Sequence, residues 1–358
     1  MMRPILHVAS GREWRGGERQ VWLLTRALAR LGVPQHLVTA RHSVLARQAR
    51  EAGVAVTEVP WDVGLDPRAL FFIIRQTRAA DPLLHAHDAH ALRLALLARS
   101  RPSPLVATRR VTFPVRPGGT WQRADHVIAI SAAVAGALRD GGVATERVTI
   151  IPSGVPLDEL ARVTPWDVRG RLGWSADTPV AVNVAALTRE KGHALLLRAA
   201  AALRASQPAL RWVVAGEGPE RGALERLAHE LGVHDTVRFL GHTDAVAPLL
   251  ADATIVVSCS SAEGLGSTLI DAMALARPIV ATAVGGVREL LAPDAGVLVP
   301  EGETKPLAAA VERILGSAAE AAALGRRARS AAAGYGIERM AERTREVYRS
   351  LMMATERT

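Results

Sequence analysis

The sequence contains few cysteine, lysine and aromatic residues, and their scarcity bears on which disulfides, partners and functions we expect. Cys259 is the single cysteine in 358 residues, so the chain cannot form an internal disulfide, and we expect a reducing compartment. Cys259 lies just before Glu263, which suggests a nucleophile. We interpret it instead as a small buried residue at the end of a strand.

Lysine occurs only twice, against 42 arginines. We attribute this bias to genomic composition, so the arginine content alone does not indicate a nucleic-acid partner. Aromatic residues make up 4% of the chain, and they are not interleaved with basic residues as in proteins that stack single-stranded bases. We therefore expect no nucleic-acid partner.

Long hydrophobic runs are also missing. The chain has no run of about 18 apolar residues, so no segment is predicted to span a membrane. The apolar stretch from Ile5 to Ala9 is too short for a secretory signal peptide, and no cleavage region follows it. We expect a cytoplasmic protein, and a peripheral position on the cytoplasmic side of a membrane stays open.

The length and the charge distribution indicate two domains. A chain of 358 residues, 49% of them hydrophobic, exceeds one ordinary core. The net charge is +9, and residues 1–165 hold 22 arginines against 13 acids, whereas residues 166–358 hold 22 basic and 22 acidic residues. All of the excess positive charge therefore belongs to the first half.

The chain is organised around residues 258–290, which read SCSSAEGLGSTLIDAMALARPIVATAVGGVREL. An apolar run before this stretch predicts a buried parallel strand, and a glycine loop and an amphipathic helix from Ser267 to Leu275 follow it. A second strand, from Pro278 to Thr282, leads to a second glycine turn. This order favours binding of phosphate and sugar oxygens, because backbone N–H groups and the helix dipole attract anions.

The same alternation runs along the rest of the chain and predicts an α/β fold with two doubly wound parallel sheets. In the first half we predict strands at 4–9, 35–40, 54–59, 83–87, 105–109, 126–130 and 147–151, and helices at 44–51, 66–79, 89–99 and 131–139, besides one that ends at Gly32. A linker is predicted at about 153–178. In the second half we predict strands at 180–186, 210–215, 236–240, 253–258, 278–282 and 296–299, and a helical tail from Ala308.

Two acids stand out in the organising stretch. Glu263 precedes the glycine loop, and Asp271 follows eight residues later on the predicted helix. Carboxylates beside anion-binding N–H groups can accept hydrogen bonds from sugar or ribose hydroxyls. The alternative is that Glu263 only caps the helix and that Asp271 is solvated.

The segment EGLGSTLIDAMALARPIVAT resembles the signature of the retaining glycosyltransferases of family 4, which have the GT-B fold. The resemblance implies two Rossmann-like domains that face each other across a cleft. Residues 1–160 would form the acceptor-binding domain and residues 175–337 the donor-binding domain, and a helix at about 338–358 would pack back on the first. Glu263 would contact the donor sugar, and Asp271, where the family usually has Glu, would bind the ribose.

Lys191 stands at a predicted helix start, where a compact positive charge suits a pyrophosphate. The segment ALTREKG resembles the family's Gly-Arg-Leu and Lys-Gly motif, with Lys191 in the lysine position. The motif arginine falls at Ala186, and Arg189 is a candidate to replace it. A lone exposed lysine at a helix start is the alternative.

The histidine-rich segment HAHDAH ends the strand predicted at 83–87, and His85 and His87 lie on one strand face. Strand ends of open α/β sheets face the ligand crevice. One interpretation is a satisfied strand-end histidine, and another is a metal pair. The third, which the family resemblance implies, makes His87 the active-site histidine that contacts the donor sugar.

The resemblance extends over most of the chain and adds further site residues. Those implied on the donor side are Gly16, Gly17, Arg189, Gly216, Glu217, Gly218, Leu240, Gly264, Leu265, Gly266 and Ser267. Arg109 and Arg110 follow a strand end, and Arg15 flanks the first glycine loop, which follows the strand predicted at 4–9 and contains Gly11, Gly16 and Gly17. With Asp88, we place them on the acceptor side, because arginine forks suit phosphate and carboxylate groups.

The sequence thus predicts transfer of a sugar from a nucleotide-diphosphate sugar, a UDP- or GDP-sugar, with His87, Lys191 and Glu263 as catalytic residues. The expected acceptor is an anionic saccharide or lipid, or one presented at an anionic membrane surface, in cell-envelope glycan synthesis. No cofactor and no metal are expected, because no acidic pair suits a bound Mg²⁺. A GT-B sugar-nucleotide epimerase and a non-catalytic nucleotide-sugar binding protein are the alternatives, and no oligomeric state is predicted.

Overall fold

The chain folds into two compact units, each built on one parallel sheet. The computed structural model describes residues 3–62, 64–99 and 103–356. The first unit comprises the described residues up to Val155 and those from Tyr335 onward, and the second is Pro156–Gly334. The ends of two predicted ranges, residues 1–2 and 357–358, lie outside the described residues.

The strands confirm the predicted α/β fold, and most begin and end within one or two residues of the predicted positions. The first sheet has the order β3-β2-β1-β4-β5-β6-β7 and the second the order β10-β9-β8-β11-β12-β13. The strands are β1 (Ile5–Ala9), β2 (Gln35–Ala40), β3 (Ala55–Val59), β4 (Leu83–Ala86), β5 (Leu105–Arg109), β6 (His126–Ala129), β7 (Val148–Ile150), β8 (Val180–Val184), β9 (Arg211–Ala215), β10 (Val237–Gly241), β11 (Ile255–Ser258), β12 (Ile279–Thr282) and β13 (Val297–Val299).

Helices connect nearly all of these strands. They are α1 (Gly16–Arg30), α2 (Val44–Glu51), α3 (Pro67–Ala80), α4 (Ala89–Ala98), α5 (Ala132–Asp140), α6 (Leu157–Leu160), α7 (Val168–Leu172), α8 (His193–Leu203), α9 (Arg221–Glu230), α10 (Val246–Ala251), α11 (Ser267–Ala274), α12 (Val287–Leu290), α13 (Thr304–Leu315), α14 (Ala318–Ala332) and α15 (Ile337–Glu356). The helical tail begins at Thr304, four residues earlier than predicted.

The strand order of the first sheet decides which helices share a face. From β1 to β3 the chain moves one way across the sheet, and from β3 to β7 it moves the other way. Right-handed crossovers then place α1 and α2 on one face and α3 and α4 on the opposite face. The last helix, α15, packs on α1, so Tyr348 and Met352 join the core that Ile5 and Leu28 form.

The segment predicted as a linker is instead part of the second unit, where α6 and α7 form. Arg169 donates through a guanidinium nitrogen to Asp252 Oδ1 at 3.0 Å, and Val168 N donates to Asp252 Oδ2 at 2.5 Å. Trp166 N also donates to the Pro248 carbonyl. These contacts reach across more than 80 residues, so the proline and glycine content that suggested a linker only marks turns in a folded segment.

Among the described residues, no helix combines the length and the apolar composition needed to cross a bilayer.

Candidate active site

In the second unit, the strand order reverses between β8 and β11, so the loops after these two strands leave the sheet side by side. Lys191 lies in a short 3-10 turn after β8, and Glu263 lies in the loop after β11. Lys191 Nζ donates to Glu263 Oε2 at 2.5 Å. Ser260 Oγ lies 3.4 Å from the same carboxylate oxygen. The two predicted catalytic residues of this unit are therefore in direct contact, although they lie 72 positions apart in the chain.

Glycine makes this close approach possible. Gly192 follows Lys191 with φ +67°, and a Cβ built there would lie 1.9 Å from the Cys259 carbonyl oxygen. A Cβ on Gly286 would lie 2.1 Å from the Gly264 carbonyl oxygen. Backbone bonds from Ser261 N to the Glu190 carbonyl and from Gly286 N to the Glu263 carbonyl fix the loops to one another.

The glycine loop after β11 leads into α11 as the sequence predicts. Gly266 adopts φ +90° and precedes Ser267, the first residue of the helix, while Leu265 is buried. The N–H groups of a first helical turn have no partner four residues earlier, so this loop can receive an anion. Asp271 is 1% exposed, which excludes the interpretation of a solvated helix acid.

The glycine turn after β9 packs on the loop after β8. A Cβ on Gly216 would meet the Ala185 carbonyl oxygen at 1.9 Å, and one on Gly218 would meet the Leu187 carbonyl oxygen at 2.4 Å. Between them, Glu217 has an exposed side chain that accepts from Arg221 at 2.8 Å. The structure thus gives Glu217 an ion-pair partner that the sequence analysis did not identify.

Three other predicted positions lie around the same strand ends. Leu240 is half-buried on β10, at the edge of the sheet. Ala186, where the family motif has arginine, is also half-buried. Arg189 is exposed and begins the turn that carries Lys191. An arginine therefore stands near the lysine, but on the turn and not at the strand end.

In the first unit, the reversal lies between β1 and β4, and it brings three histidines together. Parallel register pairs His7 with His85, and alternation puts His87 on the same face. The His85 and His87 rings lie 4.1 Å apart between centroids, and one ring nitrogen of each of the three histidines lies within 4.8 Å of the other two. The prediction that His85 and His87 share a strand face is confirmed.

Ring nitrogens of all three histidines form hydrogen bonds. His7 Nδ1 lies 2.9 Å from His87 Nε2, and Arg110 approaches His87 Nδ1 at 3.4 Å. A guanidinium only donates, so His87 Nδ1 accepts, and we assign the proton to Nε2, which donates to His7. His85 contacts Tyr348 and Thr108 hydroxyls at 2.6 and 2.7 Å.

Burial keeps the three rings neutral. It lowers the pKa of His7 to about 3, and it holds the pKa values of His85 and His87 well below 6.5, with neighbouring histidines and Arg110 adding to the effect. Both nitrogens of His85 are hydrogen-bonded and a cation already stands beside His87. The geometry therefore favours a hydrogen-bonded network over the metal pair considered from the sequence.

Arg110 is the arginine that enters this network. It also donates to the His87 carbonyl oxygen at 2.7 Å. Burial lowers the pKa of Arg110 to about 10, and the Glu18 and Asp88 carboxylates oppose that shift. Burial likewise raises the pKa of Glu18. A Cβ on Gly11 would lie 1.9 Å from Glu18 Oε1, so the first glycine loop packs directly on this carboxylate.

Two of the residues assigned to the acceptor side also make structural contacts within the first unit. Asp88 caps α4 by accepting from Ala91 N at 2.8 Å, and it accepts from Ser10 N and Oγ at 2.7 and 2.6 Å. Arg109 is 6% exposed, stacks on Trp121 and donates to the Phe113 carbonyl. Both residues fix loops at the strand ends, and Arg109 does not present a free guanidinium.

The remaining residues of the first glycine loop lie at the start of α1. Arg15 is exposed, pairs with Glu13 at 2.5 Å and precedes Gly16, while its backbone N–H donates to Glu18 at 3.2 Å. A Cβ on Gly17 would meet nothing within 4 Å. Gly17 is therefore not required by the packing of its own unit.

Sequence reasoning missed His7 and gave Glu18 no role. His7 is a polar residue in an otherwise apolar strand, with the same parity as Ile5 and Ala9, and that pattern could have identified it. Cys259 is buried, and burial raises its thiol pKa to about 12. This agrees with the interpretation of Cys259 as a buried strand-end residue and not a nucleophile.

Two family models match the chain. That of the glycosyl transferases group 1 matches residues 166–331, and that of Glycosyltransferase Family 4 matches residues 14–159. A D-inositol 3-phosphate glycosyltransferase 1 from Catenulispora acidiphila is 34% identical over 352 residues, which cover 83% of this chain and 81% of that protein. The chain belongs to the family 4 (group 1) glycosyltransferases.

Other similarities agree with the assignment. A D-inositol 3-phosphate glycosyltransferase from Geodermatophilus obscurus is 34% identical over 263 residues, which cover 68% of this chain and 56% of that relative, little more than half its length. The crystal structure of Anabaena Alr3699/HepE in complex with UDP and glucose matches with a TM-score of 0.87 at 21% identity, over 97% of this chain and 100% of that one. This likeness confirms the predicted GT-B fold.

The buried histidines of this glycosyltransferase predict a loss of stability in acid. Folding lowers the pKa values of these histidines. The free energy of unfolding is therefore highest above about pH 6.5 and decreases as the pH falls below that value, because the unfolded chain then binds protons that the folded chain excludes. Each histidine contributes about 1.4 kcal/mol per pH unit. His7→Asn keeps an acceptor near the Nδ1 position and should reduce the slope of unfolding free energy, measured by urea titration, by that amount.

The exposed His242, whose side chain is 59% exposed, provides the control as His242→Gln. If the free energy of unfolding changed with pH equally in the wild type and in His7→Asn between about pH 6.5 and 4.5, the assignment of His7 as buried and neutral would be wrong.

Gly192 and Gly173 form a matched pair for the contact beside Lys191. Their φ angles are +67° and +69°, but a Cβ on Gly173 meets nothing within 4 Å. Gly173→Ala should cost about 1 kcal/mol for its left-handed backbone. Gly192→Ala should cost at least about 2 kcal/mol more, because it collides with the Cys259 carbonyl. Urea unfolding at neutral pH measures both, and similar losses would contradict this packing.

Proposed function

We propose that the protein transfers a sugar from a nucleotide-diphosphate sugar to an anionic acceptor, with retention of anomeric configuration and without a metal. The observation that carries the proposal is the Lys191–Glu263 pair at the adjoining strand ends of the second unit. Family membership supports the class of reaction. The donor, the acceptor and the stereochemistry are our inferences.

The donor side of the proposal rests on the second unit. Three loops and a helix N-terminus lie near the point where its strand order reverses. Open α/β sheets bind nucleotides and phosphates in the crevice at such points. We favour a UDP-sugar over a GDP-sugar, because the Anabaena protein was solved with UDP. Asp271, buried on α11, would bind the ribose, and Gly216, Gly218 and Leu240 would surround the nucleotide.

The chemistry requires positive charge on the departing diphosphate. Lys191 would supply it, with the N–H groups of the Gly264–Gly266 loop and the first turn of α11. Arg189, exposed on the same turn, would replace the arginine missing at Ala186. Glu263, oriented by its bond from Lys191, would accept hydrogen bonds from the donor sugar. In a retaining transfer, the donor phosphate would help to deprotonate the acceptor hydroxyl.

The first unit would hold the acceptor and contribute His87. Its 26 arginines and 15 acids, in residues 1–155 and 335–358, give a net charge of +11. Arg110 lies beside Glu18 and His87, and it offers donors that suit a phosphate or carboxylate. Two relatives are named D-inositol 3-phosphate glycosyltransferases, which supports an acceptor that carries phosphate. A role in cell-envelope glycan synthesis follows as part of the same proposal.

Removal of either member of the Lys191–Glu263 pair should lower turnover. Lys191→Ala and Glu263→Gln are each expected to cost at least about 100-fold, the scale of one lost electrostatic stabiliser. Nucleoside diphosphate release from UDP- and GDP-sugars, measured with phosphorylated acceptors such as inositol phosphate, gives the rates. Both side chains are partly exposed, so the variants should remain folded.

Lys305→Ala is the matched control, because Lys305 is the other lysine of the chain and is exposed on α13. If both pair variants kept the rate of Lys305→Ala, the assignment of the site would be wrong. The anomeric configuration of the product, read by NMR against that of the donor, tests retention.

The two alternatives have distinct outcomes in the same assay. A sugar-nucleotide epimerase would convert the nucleotide sugar without any acceptor. A non-catalytic binding protein would be stabilised by the nucleotide through mass action and would release no product. The proposed transferase requires both substrates.

A further inference from the structure

Large apolar side chains are exposed on one side of the first unit. Phe71 on α3 is 63% exposed, Leu97 on α4 is 61% exposed, and Leu65, in the turn before α3, is 51% exposed. The two helices pack against each other on the sheet face opposite α1 and α15. A Cβ on Gly64 would come within 3.0 Å of the His90 ring, so the turn also lies against α4.

Arginines share this outward surface. Arg75 and Arg78 follow Phe71 at helical spacing on α3, and Arg93 lies one turn before Leu97 on α4. All three are exposed, and none forms an ion pair with another described residue. The opposite faces of both helices are buried, through Ile73 on α3 and Leu94 on α4 among others.

Acids are missing from both helices. Of the acids that flank them, Asp88 accepts from Ser10 and Ala91 N, and the other three have cationic partners. Asp62 and Asp66 accept from Arg68 at 2.6 and 2.7 Å, and Asp81 pairs with Arg3 at 3.3 Å. The positive charge of Arg75, Arg78 and Arg93 is therefore not neutralised along the surface, and it adds to the net charge of +11 of the unit.

We propose that this surface, the α3–α4 face (Leu65, Phe71, Arg75, Arg78, Arg93 and Leu97), docks onto an anionic lipid bilayer. Apolar side chains on a basic helical face enter the boundary between headgroups and acyl chains, while arginines bind lipid phosphates. Arginine stems also cover apolar surface and keep their charge at the headgroups.

The arrangement fits a bilayer better than a protein partner. The core of a protein interface is a contiguous apolar patch from which charged residues are depleted. On the α3–α4 face, Phe71 and Leu97 lie on different helices with arginines close to each. An extended anionic surface can satisfy every arginine while each apolar side chain inserts separately.

The inference is independent of the proposed function, because it concerns binding to lipid and not transfer. Docking of the α3–α4 face would, however, place the proposed transfer reaction at the membrane surface. Asp88, the N-cap of α4, is also bonded to the loop after β1, so one end of the face adjoins the strand ends where Arg110 and His87 lie.

Vesicle sedimentation tests the proposal with two variants of equal charge. The first replaces Arg75, Arg78 and Arg93 by alanine. The control replaces Arg47 on α2 and Arg339 and Arg349 on α15, exposed arginines of the same unit on the opposite sheet face. On phosphatidylcholine vesicles that contain phosphatidylglycerol, the first variant should bind on the order of 100-fold more weakly than the wild type at low salt. The control should stay within about tenfold, the effect of net charge alone.

A site-specific label tests the geometry. Cys259 is buried, so an environment-sensitive dye can be attached selectively to Phe71→Cys, or to Met353→Cys on α15 as the control, where Met353 is 54% exposed. The emission of the dye should shift to the blue with anionic vesicles at position 71 and stay unchanged at position 353.

The proposal fails if the wild type does not sediment with anionic vesicles at low salt. It also fails if the two triple variants lose binding equally, or if the dye at position 71 reports no apolar environment when the protein is bound. Thermal unfolding of each variant separates a loss of binding from a loss of folding.

Discussion

The reversal of strand order in each sheet is the constraint on which both sites depend. The carboxyl ends of parallel strands all lie at the same edge of the sheet. Where the strand order reverses, the connections after two adjacent strands run to opposite faces of the sheet. The loops that follow these two strands therefore begin side by side and leave a crevice between them. In the first sheet this joins β1 to β4, and with them His7, His87 and Asp88. In the second sheet it joins β8 to β11, and Lys191 meets Glu263. The strand order alone therefore determines which loops meet at each site, whatever side chains those loops carry.

Close packing then decides what each site can contain. In the second unit, glycine removes side chains where loops touch, and the polar groups that remain form an ion pair at the surface of the unit. In the first unit, the groups are buried, so their protonation states are restricted. Three histidines stay neutral, while Arg110 keeps its charge between Glu18 and Asp88. The first site is therefore a fixed hydrogen-bond network, and the second is an electrostatic one.

The sequence predicted what depends on local order. Strand positions follow from apolar runs, the shared face of His85 and His87 follows from the two-residue period, and the start of α11 follows from its glycine loop. Contacts between distant residues were not predictable. The bonds from Ser10 to Asp88 and from Arg169 to Asp252 span 78 and 83 positions. A single sequence does not reveal which distant partner a polar residue meets, so the bond between Ser10 and Asp88 was not predicted and residues 153–178 were wrongly predicted as a linker.

The departure of this chain from the family motif has an electrostatic consequence. Lys191 and Glu263 together are neutral, whereas a nucleotide diphosphate is an anion. With alanine at position 186, the proposed diphosphate site would take further positive charge from the helix N-terminus after Gly266 or from Arg189 on the exposed turn. A helix terminus contributes about half a charge and acts only within its first turn. Arg189 carries a full charge on a flexible side chain, so ordering it costs conformational entropy. An arginine at the half-buried position 186 would be held by its neighbours before binding, whereas an arginine on an exposed turn would be positioned by the ligand. If Arg189 binds the diphosphate as proposed, its ordering would be coupled to donor binding.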